Sequence, residues 1–171
     1  IDKDTSGLLM VAKNDLAHIG LSEQIKEHSF TREYRAVVCG RFKEPEGTVN
    51  APIGRHPVDR KKMTVTDRNS KPAVTHYTVL EEFNGYSFIK LRLETGRTHQ
   101  IRAHMAYIGC PLLGDGKYGI NRVNRSYNIK TQALYSYKLK FDFTTDSGIL
   151  SYLNGREFTA ENVWFADKFV K

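Results

Sequence analysis

Cysteine is almost missing from this chain. Cys39 and Cys110 are the only two among 171 residues, far apart and without a CxxC spacing. That argues against a disulfide framework and for two buried thiols in a reducing compartment, which points to the cytoplasm. Long apolar runs are missing too. None approaches the roughly 18 to 20 residues that cross a bilayer, and no stretch reads as a signal peptide, so no membrane association is expected. There is no HExxH, no GxSxG, no Cys/His cluster and no nucleotide-cofactor motif. His99 and His104 are five apart, about 140° around a helix, which suits two ligands of one metal poorly. No metal and no cofactor is expected.

Acid is also short relative to base. Nineteen Asp and Glu face 26 Lys and Arg, giving a net charge of +7 and a pI of about 9.4. Such a field attracts a polyanion. Arg55, Arg60, Lys61 and Lys62 cluster in one segment, and Arg92, Arg97 and Arg102 in another. No strongly basic amphipathic helix suggests a lipid surface, so nucleic acid is the favoured partner.

What is present suffices for one domain with a real core, 40% of the residues being hydrophobic. The chain opens on Ile1, not methionine, and is read as part of something longer. Asp2 and Asp4 lead through Thr5-Ser6-Gly7 into an apolar run, Leu8 to Ala12, expected to be a buried opening strand. Asn14 caps a helix over 15–26, with Ala17, Leu21 and Ile25 on one face. Residues 32–40 alternate as a strand whose more apolar side carries Tyr34, Ala36 and Val38. Residues 55–63 read as a basic loop that can track phosphates.

Residues 73–82 and 86–93 form a hairpin about Asn84-Gly85. The period then changes, and Ile101, Met105 and Ile108 line a helix capped by Thr98 and ended by Gly109. Arg97 thus stands at a strand-to-helix corner. The glycine-rich stretch from Pro111 to Gly119 lacks P-loop spacing, and 120–131 reads as a surface excursion. Tyr135 to Phe143 alternates as a further strand, and Val163 to Val170 closes the chain as a short helix. Many hairpin strands with few helices predict an α+β domain, a mixed and largely antiparallel sheet with flanking helices.

Three side chains stand out as chemistry: Asp2 in a basic protein, inward-facing Tyr34, and Arg97 at its corner. A neighbouring arginine holds a carboxylate in its charged form, which suits a carboxylate nucleophile.

The motifs then resemble a known family. Asp2-Lys3-Asp4-Thr5-Ser6-Gly7-Leu8-Leu9, Arg32-Glu33-Tyr34-Arg35-Ala36, Pro52-Ile53-Gly54-Arg55 with Asp59-Arg60-Lys61-Lys62-Met63, and Gly96-Arg97-Thr98-His99-Gln100-Ile101-Arg102-Ala103-His104-Met105 are similar, in order, to motifs of the RluA/RluC/RluD-type pseudouridine synthases. The resemblance runs through Gly114-Asp115 and Tyr118-Gly119 and weakens after Phe143. It implies isomerisation of uridine to pseudouridine in RNA without cofactor or metal. Asp2 would be the nucleophile, Tyr34 the platform for the base and a helper in removing the C5 proton, and Arg97 the ion-pair partner of Asp2, with Arg102 second.

Arg55, Arg60, Lys61, Lys62 and Arg102 would contact RNA. Large-subunit ribosomal RNA is the implied substrate, transfer RNA the alternative, and the chain is expected to act as a monomer. A non-catalytic RNA-binding or ribosome-assembly module is the competing class. The family's His-Arg before the hydrophobic-Asp pair, the preceding part of the catalytic domain and an S4-type RNA-binding domain lie outside this sequence, so the turn carrying Asp2 is expected to be poorly restrained. Tyr135 stands where the family usually has histidine, an expected structural difference only.

Overall fold

The computed structural model describes residues 1–169, so Val170 of the expected closing helix lies outside the described residues. In chain order the elements are β1 (Ser6–Gly7), α1 (Asp15–Lys26), β2 (Phe30–Cys39), β3 (Glu46–Asn50), β4 (Ile53–Arg55), β5 (Met63–Val65), β6 (Ser70–Lys71), β7 (Val74–Phe83) and β8 (Tyr86–Leu93). They continue with α2 (Gln100–Tyr107), α3 (Asn121–Ser126), β9 (Leu134–Phe141), a 3-10 helix (Gly148–Leu153), β10 (Glu157–Thr159) and α4 (Ala166–Phe169). The main sheet runs β1-β9-β2-β8-β7-β3, with β10 also pairing β9; β4, β5 and β6 form a small second sheet. Every pairing is antiparallel except β1 with β9. The α+β reading with a mixed, largely antiparallel sheet therefore holds. No helix among the described residues is long and apolar enough to cross a membrane.

The two faces of β2 explain why its sequence is apolar on both sides. Tyr34, Ala36 and Val38 pack with Ile89 and Leu91 of β8 and with Ile101 and Met105 of α2. Val37 and Cys39 point the other way, against Phe88, Leu113, Ala133 and Phe165. A strand covered on both faces loses the simple inside-outside alternation. Burying Ile101 and Met105, each under 5% exposed, stabilises the α2 contact by roughly 1.5–3 kcal/mol per side chain. Both cysteines are buried and free, and burial pushes the Cys39 thiol up to about 11, which leaves it unreactive.

Several expectations are corrected. Residues 8–12 are not a buried strand. Among the described residues no strand pairs with them, and Leu9 and Val11 are 63% and 70% exposed while Leu8, Met10 and Ala12 turn inward. The period of two is real, but a ladder partner is needed to make a strand of it. The basic loop holds over 56–62 as the connection between β4 and β5, and only its ends, Arg55 and Met63, are strand residues that pair. The excursion at 120–131 contains α3, and the closing helix is shorter than expected. Asn14 does cap α1, its Oδ1 accepting from the Ala17 amide at 2.8 Å. Thr98 does not cap α2. His99 stands there in the left-handed region (φ 54°) without a side-chain cap hydrogen bond, and Gln100 Oε1 accepts from the Arg97 amide just before the helix at 2.9 Å.

His104, fully buried on α2, bridges Thr75 Oγ1 and the Ala51 carbonyl, each at 2.9 Å. Burial holds its imidazole below the ordinary value, against the pull of the Ala51 hydrogen bond. Below the ordinary histidine value of about 6.5 the unfolded chain takes up a proton that the folded chain resists, so stability falls as pH falls. The urea midpoint is expected to drop between pH 7.5 and 5.5, and His104→Gln should flatten that dependence.

Candidate active site

Asp2 sits in a tight turn closed by the Thr5 amide donating to the Asp2 carbonyl at 3.1 Å. The turn hangs on the approach to β9 and its start. Gln132 Nε2 donates to the Lys3 carbonyl (2.8 Å) and Thr5 Oγ1 (3.2 Å), and the Leu8 amide donates to the Ser136 carbonyl (2.9 Å). Gly7 is required for this approach. Its φ is +106°, and a Cβ there would lie 2.2 Å from the Ser136 carbonyl oxygen. The turn is thus tied to the sheet at several points, more firmly than the sequence suggests.

Tyr34 enters from β2, next to β9. It is 9% exposed, with the Ser136 hydroxyl in hydrogen-bonding reach of its phenol. Burial raises that phenol above its ordinary value, although the nearby Arg32 charge pulls it down, so at neutral pH the hydroxyl is protonated. Asp2, Tyr34, Arg97 and Arg32 line one open cleft of about 230 Å³, with Thr5, Leu93 and Gly96 among the other walls.

The ion pair with Asp2 is made by Arg102, not Arg97. Arg102 Nη1 lies 3.5 Å from Asp2 Oδ2. Arg97 instead donates from Nε to the Pro72 carbonyl at 2.9 Å, though it still lines the cleft. The reason is helical phase. Arg97 precedes the helix and turns toward the chain before β7, whereas Arg102, one turn into α2, projects about 100° from Ile101 toward the Asp2 turn. Arg102, expected also to contact RNA, is 5% exposed and its guanidinium is turned to Asp115 and Asp2.

Arg102 is itself clamped from below. Its Nε and Nη2 donate to the two oxygens of fully buried Asp115, at 2.7 and 2.9 Å. Asp115 Oδ1 also accepts from the amides of Lys117 (2.8 Å) and Tyr118 (3.0 Å). Burial opposes charge on Asp115, but the hydrogen bonds and charge of Arg102, with those two amides, outweigh it and hold the carboxyl below the usual carboxylate range. Two of the three guanidinium nitrogens are thereby fixed, leaving Nη1 for Asp2. The glycine-rich stretch is not a phosphate cradle; it is the mount for this clamp. Gly114 (φ +78°) permits it, since a Cβ there would meet the Thr131 carbonyl at 2.1 Å.

The basic hairpin docks on the same mount. The Met63 amide donates to the Tyr118 hydroxyl at 2.7 Å, and Lys117 Nζ to the Lys61 carbonyl at 3.2 Å. Arg55 Nη1 donates to the Arg60 carbonyl, shaping the tip, where Arg55, Arg60 and Lys61 are exposed and Lys62 half-buried. Among the described residues no group of three or more His, Cys, Asp or Glu side chains is placed to hold a metal ion.

Two residues escaped the sequence reading. Asp115 is an acid set between two glycines, but nothing local says which cation it meets. Arg32 had a usable signal, standing two residues before Tyr34 and so on the same strand face.

Comparisons with known proteins bear on the family. Residues 1–107 match the RNA pseudouridylate synthase family. The chain is 54% identical over 142 residues to the uncharacterized RNA pseudouridine synthase YlyB of Bacillus subtilis, covering 83% of this chain and 46% of that protein. It is 48% identical over 147 residues to the ribosomal large subunit pseudouridine synthase D of Zymomonas mobilis, covering 82% and 46%. The solved structure of human RNA Pseudouridylate Synthase Domain Containing 1 superposes with a TM-score of 0.80 at 27% identity, covering 98% of this chain and 69% of that one. The chain spans about half the length of these curated relatives. With more than half of its residues matched, and the Asp2, Tyr34 and Arg102 cluster inside the matched span, the chain belongs to the RNA pseudouridylate synthase family.

Proposed function

We propose that this chain isomerises uridine to pseudouridine in large-subunit ribosomal RNA, with Asp2 as the nucleophile, and that it acts as a monomer in the cytoplasm. The observation that carries the reading is the Asp2 carboxylate, presented to an open cleft beside Tyr34 and held from behind by Arg102. The name of the Zymomonas relative supports the choice of RNA. In the reaction the bond from C1′ to N1 breaks, the base turns, and a bond from C1′ to C5 forms. The C5 proton leaves and N1 takes one up, so the product is an isomer.

The base must leave its stack to reach Asp2, and Tyr34 offers an aromatic face to receive it. Tyr34 also helps in removing the C5 proton, and burial keeps its phenol uncharged at neutral pH. Arg97 forms the outer wall of the cleft. The exposed Arg55, Arg60 and Lys61, with Lys62, supply phosphate contacts that weaken as salt rises.

Incubation with 23S ribosomal RNA transcribed in vitro, and separately with transfer RNA transcripts, tests this directly. Pseudouridine measured by mass spectrometry of the digested nucleosides is expected in the ribosomal RNA and not in the transfer RNA. Formation in transfer RNA alone would move the substrate, and formation in neither would overturn the reading.

A further inference from the structure

Arg32 is the unexplained charge of the cleft. Its Nε is shielded from solvent and has no hydrogen-bond partner. Among the described residues no carboxylate pairs with it, and its guanidinium lies over the Phe30 ring, 5.4 Å from the centroid. The guanidinium is nevertheless closely placed. It packs on the backbone of Gly96, where an added Cβ would lie 2.6 Å from Nη1, and it lines the same cleft as Asp2 and Tyr34. A buried guanidinium N–H without an acceptor is costly, and the rest of this half-buried group faces the open cleft, where a bound anion can complete it. The neighbouring arginines have hydrogen-bond acceptors, Arg102 in Asp115 and Asp2 and Arg97 Nε in the Pro72 carbonyl.

We propose that Arg32 is a substrate-binding residue whose guanidinium takes the backbone phosphate adjoining the uridine to be isomerised, an inference that rests on the RNA isomerase reading above. Strand geometry supports it. Arg32 and Tyr34 share a face of β2 two residues apart, about 6.6 Å along the strand. A nucleotide whose base stacks on Tyr34 can span that separation to its own phosphate. The uracil ring is neutral and leaves the charge uncompensated, whereas a phosphate supplies both the negative charge and paired oxygens for a planar guanidinium.

The test is the salt dependence of kcat/KM for tritium release from C5-labelled 23S ribosomal RNA, comparing wild type with Arg32→Gln and Arg32→Lys. Arg32→Gln is expected to raise KM about tenfold with kcat within threefold, and to lessen the slope of log(kcat/KM) on log[salt] by about 0.7, the loss of one phosphate contact to a single strand. Arg32→Lys should keep the slope. Because Arg32 has no protein carboxylate to lose and its Nε has no acceptor, Arg32→Gln should leave the urea midpoint of the free protein unchanged or raise it. An unchanged slope with raised KM would place Arg32 on a neutral group of the base and overturn the phosphate assignment. A lowered urea midpoint with unchanged KM would make Arg32 structural and overturn it too. No release by the wild type would remove the isomerase reading, and the assignment with it.

Discussion

Asp2→Asn is expected to lower pseudouridine formation by three orders of magnitude or more, while RNA binding and fold stability stay close to wild type. The substitution keeps the size of the side chain and removes its charge and nucleophilicity. At ~1.4 kcal/mol per tenfold in rate, a thousandfold loss is about 4 kcal/mol of barrier, within the range found when a nucleophile is removed. The structural cost is small by comparison. The Asp2 side chain is 23% exposed and its contact with Arg102 is 3.5 Å, so the pair contributes no more than about 1 kcal/mol to stability. RNA affinity, measured by filter binding at fixed salt, should hold or rise, because a negative charge has left a site that receives a polyanion. A parallel loss of affinity would instead mark Asp2 as a binding group.

Asp115 is expected to behave in the opposite way. Asp115→Ala strips the buried Arg102 of its bidentate partner and leaves the Lys117 and Tyr118 amides without their acceptor. Breaking a buried pair from one side costs about 3–5 kcal/mol, a large part of the 5–15 kcal/mol that holds a typical domain together. Urea denaturation should show this directly. Asp115→Asn is the more informative variant for function, because it can still accept from the amides while losing the charge that fixes Arg102. It should fold, with kcat reduced ten- to a hundredfold and KM little changed, since an ångström of misplacement at a reacting group can cost about a hundredfold. If Asp115→Asn retained full kcat, the clamp would be structural only.

The contrast shows what could be read from the chain and what could not. Local signals were legible. Asn14 set the start of α1, Asn84-Gly85 placed the hairpin of β7 and β8, and the change of period after Leu93 announced α2. Asp2 and Tyr34 were legible as chemistry, and the structure brings both to one cleft. What failed depended on partners distant in sequence. The run over 8–12 has the alternation of a strand, but after the Leu8 amide's bond to Ser136 no strand pairs with it among the described residues. The choice between Arg97 and Arg102 turned on which side of α2 the Asp2 turn reaches, and the clamp between an acid in a loop and a helix 13 residues earlier leaves no periodic trace. The strand period puts Arg32 on the face of Tyr34, but its lack of an acceptor is a property of the folded structure alone.

The central claim is that Asp2 performs the chemistry and Arg102, held by Asp115, presents it. Single-turnover tritium release from C5-labelled 23S ribosomal RNA, with protein in excess so that binding is saturated, tests it most directly. Asp2→Asn should release no tritium above background in the time wild type needs to finish. Release by Asp2→Asn at a rate within tenfold of wild type would contradict the account.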